Sequence, residues 1–138
     1  MRPKHYPVIL LLFGLVGCGE GPGGMSPSYN ATDFDPRLSK KAATAIPIIA
    51  VVQRYKSAHG RFPADLKAFR DDLPTGIVVG HDLADNWRYS RSEGGLAFQL
   101  ATKLGWDPSL IYEATATTST WTFDPGDGSD MKQVKLQP

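Results

Sequence analysis

Two short stretches hold the side chains best suited to a metal ion. In FDPGDGSDM, Asp124, Asp127 and Asp130 fall within seven positions, interleaved with glycines and joined by the Ser129 hydroxyl. Calcium takes several hard oxygens from a bendable backbone, and a loop of this kind can supply them. The spacing is not that of an EF-hand, and Asp, Gly and Pro are equally the residues of a tight turn. In GHDLADN, His81, Asp82 and Asp85 form a second set in a polar loop, for which an exposed turn is the plainer account. Zinc is poorly served, because the three histidines make no pair at helical spacing and the chain has one cysteine. There is no Gly-x-Ser-x-Gly elbow and no clustered acid–base pair, so no enzyme is expected. Of the three tryptophans, Trp87 and Trp121 are in phase with other large residues and read as core. Trp106, in LGWDPSL, precedes a turn and is the candidate exposed ring for binding a ligand.

The single cysteine, Cys18, cannot form a disulfide within the chain. It follows a positive head, Arg2 and Lys4, and an apolar run from Val8 to Val16. That run falls short of the roughly 20 apolar residues that cross a bilayer, and it has the form of a secretory signal. The run ends in Leu15-Val16-Gly17-Cys18, which resembles the lipobox of bacterial lipoproteins. The resemblance implies that the Cys18 thiol receives diacylglycerol and that the chain is cut before it. Two or more acyl chains such as palmitate then hold the protein stably on a membrane, where one would bind only marginally. Gly19 is not the aspartate that resembles an inner-membrane retention signal. In a Gram-negative envelope the expected place is the outer membrane, on its periplasmic or outer face.

These features divide the chain into a leader at 1–17, a Gly/Pro/Ser tether at 18–34 and one domain at 35–138. The tether, CGEGPGGMSPSYN in its first part, offers little to pack. Arg2 and Lys4 lie in the leader, so 13 of the 15 basic side chains remain against 14 acidic ones. With that balance and no long charge run, nucleic acid is not an expected partner. About 105 residues are enough for one core.

Positioning falls to a helical half followed by a strand half. Asp35 can cap a helix that starts at Pro36. Leu38, Ala42, Ala45, Ile49 and Val52 form one face, widened by Ile48, Val51 and Tyr55. His59 and Gly60 close that helix, and Pro47 predicts a kink or break within it. A short second helix is predicted from about Ala64 to Asp72, docking Leu66, Phe69 and Leu73 inward behind Phe62.

From Trp87 the period changes to two. WRYSRSEGGLAFQL predicts a hairpin turning at Glu93-Gly94-Gly95, with Leu96, Phe98 and Leu100 on one face. LIYEATA and TWTFD add two strands, MKQVKL adds a lysine-bearing edge strand, and GIVVG is a short extra candidate. The fold class expected is α+β: a long Pro-kinked helix and a short helix packed on a meander sheet of four or five antiparallel strands.

Residues 36–104 resemble the head of type IV pilins, above all the major pseudopilin of type II secretion. The resemblance is carried by VVQRYKSAHGRFPADL at the helix end, DNWRYS leading into a strand, and the glycine-turn hairpin SEGGLAFQL. It implies a helix laid on an antiparallel sheet, a role in an envelope assembly, and calcium in a loop toward the C-terminus, which here is the Asp124–Asp130 stretch. The expected function is a lipid-anchored, non-enzymatic interaction domain with an envelope protein partner, linked to a secretion or pilus-type assembly. The alternatives are an exported protein binding a small ligand or ion, and a hydrolase acting on the envelope.

Overall fold

The computed structural model describes Tyr29, residues 31–73 and residues 87–138. Cys18 with its leader, the GIVVG strand, and the His81, Asp82 and Asp85 set lie outside these residues. The described chain is α+β, with two helices followed by a five-stranded antiparallel sheet.

The helical half begins where the sequence places its cap. Asp35 Oδ1 accepts the backbone N–H of Arg37 at 2.8 Å and of Leu38 at 3.0 Å, and Pro36 occupies the first helical position. Helix α1 (Pro36–Ala43) then runs for two turns and stops. Helix α2 (Ile46–His59) starts afresh, so the single predicted helix is broken just before Pro47. Proline cannot donate to the carbonyl one turn back and its ring crowds that carbonyl. The chain closes the gap with shorter-range bonds, Thr44 N–H to Lys41 O at 3.1 Å and Ala45 N–H to Ala42 O at 2.9 Å. Gly60 ends α2 at φ 75°, where a side chain would be strained, and donates to Lys56 O at 2.8 Å.

The second predicted helix is corrected. Residues Lys67–Asp72 form a 3₁₀ helix, and no α-helix starts at Ala64. The Asp65 carboxylate takes the N–H of Lys67 at 2.9 Å, a local turn that competes with helix propagation. The packing expectation holds all the same: Phe62 and Leu66 are buried, and Phe69 and Leu73 pack half-buried against the core.

The sheet is wound in chain order from β1 (Arg88–Arg91) through β2 (Phe98–Lys103), β3 (Ser109–Ala114) and β4 (Ser119–Asp124) to β5 (Lys132–Val134). Register aligns Tyr89, Leu100, Tyr112, Trp121 and Val134 in one row across all five strands. Phe98 and Ala114 flank that row on one side, with Leu110 and Phe123 on the other. These inward residues and the helical stripe of Leu38, Ala42, Ala45, Ile48 and Val52 form one buried cluster. Leu96 breaks the predicted alternation. It is 70% exposed, because the turn that starts at Glu93 carries it out of strand β2.

Rings connect the layers. Phe62 meets Phe98 edge-on at 4.7 Å, Phe98 meets Tyr112 at 5.8 Å, Tyr112 meets Trp121 at 4.8 Å, and Trp121 meets Trp87 at 6.0 Å. Trp87 in turn donates its indole N–H to Thr44 Oγ1 at 2.9 Å, and Thr44 donates to Lys41 O at 2.7 Å. The sheet is thereby bonded to the break between the helices. No buried side-chain polar atom among the described residues lacks a partner.

Two outcomes follow for the full chain. Phe62→Ala empties a fully buried aromatic site and should cost about 3–5 kcal/mol, read as a lower urea midpoint at unchanged slope. Tyr89 donates its hydroxyl to Pro63 O at 2.7 Å, and burial pushes its phenol from 10.0 up to about 12. A raised value favours the neutral phenol, so this contribution is complete below pH 10 and is lost between pH 10 and 12. Tyr89→Phe should remove that alkaline fall in the urea midpoint.

Candidate functional site

Two loops leave the sheet at the same end. Residues 104–108 join β2 to β3, and residues 125–131 join β4 to β5. Leu104 is buried and roots the first loop, which closes through Leu104 N–H to Pro108 O at 2.8 Å and Lys103 Nζ to Asp107 O at 2.8 Å. The second loop presses on the first. Gly126, at φ 77°, lies so close to the Asp107 carbonyl that an added Cβ would overlap it. Only glycine satisfies both the backbone angle and that approach.

Trp106 stands on this tip and is 90% exposed, as its place before a turn suggested. Met131, at the far end of the second loop, is 62% exposed. Sequence periodicity gave no sign of Met131, since it precedes a strand of only three residues.

The aspartates of the second loop do not assemble into a metal site. Asp124 Oδ1 accepts the N–H of Gly126 at 2.9 Å, and Asp127 Oδ1 accepts both the N–H of Ser129 at 2.9 Å and its hydroxyl at 2.5 Å. Each carboxylate closes its own turn. Among the described residues no three His, Cys, Asp or Glu side chains converge to hold a metal ion. Over the expected calcium loop of Asp124, Asp127 and Asp130, the structure shows two successive aspartate turns, at Asp124 and at Asp127. The Ser129 hydroxyl and backbone N–H hold the exposed Asp127 carboxyl below the usual carboxylate range.

A third feature lies on the solvent side of the sheet. Ser90, Gln99, Glu113 and Thr120 are aligned in one row across β1 to β4. Gln99 Nε2 donates to Glu113 Oε1 at 2.9 Å. A shallow cavity of about 420 Å³ opens over this row, rimmed by Arg91, Ser92, Thr115 and Thr118. Its charged members are already engaged, since Arg91 Nη1 donates to Phe62 O at 3.0 Å. The alternation of polar residues in these strands could have revealed the row, although the pairing that aligns them follows only from register.

The N-terminal approach is fixed at the opposite edge of the sheet from β1. Phe34 donates its N–H to Lys135 O at 2.7 Å, and Lys135 N–H returns a bond to Asp33 Oδ1 at 2.8 Å. Phe34 holds φ 61° there with its ring 54% exposed. No described helix is long and apolar enough to cross a membrane.

No family model, curated protein or solved structure matches the chain.

Two measurements check the loop chemistry. Calcium added to the full chain should leave its thermal midpoint unmoved, and a rise that disappears in Asp127→Ala would restore the metal site. Ser129→Ala should raise the Asp127 carboxyl toward 3.8, followed by its carboxyl resonance on titration.

Proposed function

We propose that this chain is a lipid-anchored envelope protein whose α+β domain is a non-enzymatic interaction module of pilin-head type. The observation that carries the reading is the order Arg2, Lys4, apolar run, Leu15-Val16-Gly17-Cys18, with Cys18 the only thiol of the chain. The remainder then hangs on the lipid of Cys18 at a membrane face, the outer membrane in a Gram-negative cell. The pilin-head part is supported by chain order: helices first, then a sheet wound consecutively whose one face the helices cover. In that reading the partner is an envelope protein, and a secretion or pilus-type assembly is the setting. Filament formation is not proposed, because the apolar run lies before the cut and is discarded with the leader.

A second reading, an exported lipoprotein that binds a small ligand, is favoured by the 420 Å³ cavity over the Ser90–Thr120 row. Its polar rim suits a hydroxyl-rich molecule.

Cells fed an alkyne-bearing fatty acid test the anchor. The wild-type chain should take up the label and Cys18→Ala should not. Equal labelling of the two would contradict the assignment.

A further inference from the structure

Asp127-Gly128 is the only Asp-Gly pair in the chain, and the chain has no Asn-Gly. An aspartate before a glycine can close on itself. The glycine nitrogen attacks the side-chain Cγ, and no Cβ on the attacking residue obstructs the ring. The other aspartates of the two loops are less suited. Asp107 and Asp124 precede prolines, which carry no N–H to attack with. Asp130 precedes Met131, whose side chain crowds the same approach.

The structure leaves the pair ready to react. Residues 126–131 are exposed. Gly128 holds φ 86°, and nothing lies within 4 Å of the place its Cβ would take. Among the described residues its N–H donates to no acceptor, whereas the N–H groups of Gly126 and Ser129 are bonded. The nucleophile is therefore free, and the electrophile is held near it. Asp127 Oδ1 accepts the Ser129 N–H at 2.9 Å, a turn that folds the carboxyl group back over the Gly128 peptide.

We infer that Asp127-Gly128 is a site at which this protein modifies itself, forming a succinimide that reopens to isoaspartate, and that Ser129 restrains the step. The bond formed joins Gly128 N to Asp127 Cγ. The bond broken joins Cγ to the carboxyl OH, which leaves as water with the Gly128 amide proton. Water then adds to either ring carbonyl, restoring aspartate or moving the main chain through Cβ and Cγ of residue 127. The neutral acid is the reacting form, because it can release water. Ser129 acts against it. Its N–H and its hydroxyl converge on Oδ1, at 2.9 Å and 2.5 Å, and both bonds favour the carboxylate. The low carboxyl value at Asp127 has the same cause. Isoaspartate lengthens the main chain and removes the Asp127 turn, between the Gly126 approach to Asp107 and the start of β5.

The test incubates the folded full chain in mildly acid buffer and follows residues 104–132, which trypsin releases by cutting after Lys103 and Lys132. Wild type should gain a species one water lighter, then an isomer of unchanged mass whose fragmentation places an isoaspartyl link at residue 127. Asp127→Glu, whose ring would be one atom larger, should gain neither. Ser129→Ala should accumulate the lighter species faster than wild type. Folded wild type that keeps the peptide unchanged, while the same chain in urea converts, overturns the site. Conversion in Ser129→Ala at the wild-type rate or slower overturns the restraint.

Discussion

The fold depends on burying one face of a twisted sheet beneath a helical layer that proline has cut in two. Ordinary helix packing would use a continuous stripe. Here the helix itself is interrupted at Thr44 and Ala45, and aromatic volume ties the two helices to the sheet. The rings of Phe62, Phe98, Tyr112, Trp121 and Trp87 touch in sequence from the end of α2 to the start of β1. Each such ring buries a large apolar area, and edge contacts add a further fraction of a kilocalorie to about 1.5 kcal/mol per pair. The Trp87 indole bond to Thr44 then turns a defect in the helix into a docking point. That arrangement fixes the register of five strands, and register in turn decides which residues the domain shows to its surroundings.

Where the determinants were local, the sequence was legible. Asp35 and Pro36 announce a helix start through bonds that span three residues, and Gly60 announces its end. Pro47 declares the break for the same reason. The alternation in β2, β3 and β4 was equally readable, and so was the burial of Trp87 and Trp121. Misreadings arose where two local signals competed. The Leu66–Phe69 spacing favours an α-helix, but the Asp65 carboxylate captures a backbone N–H first and the segment tightens to 3₁₀. Leu96 fits the two-residue period, yet it belongs to the turn and not to the strand. Asp124 and Asp127 each give one carboxylate oxygen to a turn of their own loop, a local use that the composition of residues 124–130 did not disclose. Contacts such as Phe34 with Lys135 lie about a hundred positions apart, beyond any periodicity argument.

Two faces of the domain differ in what they offer. The solvent side of the sheet presents hydroxyl and amide groups in register, suited to weak, polar and wet contacts. The loop tip presents the exposed Trp106 and Met131 on a backbone closed by the Gly126–Asp107 approach and by two aspartate turns.

The proposed function turns on the fate of Cys18. The most direct measurement is intact mass spectrometry of the mature protein extracted from its native membranes. The account predicts a chain that begins at Cys18 and is heavier than its polypeptide by a diacylglyceryl group, with or without a further acyl chain. A mature product carrying an unmodified Cys18 thiol, or one that still begins at Met1, would contradict it.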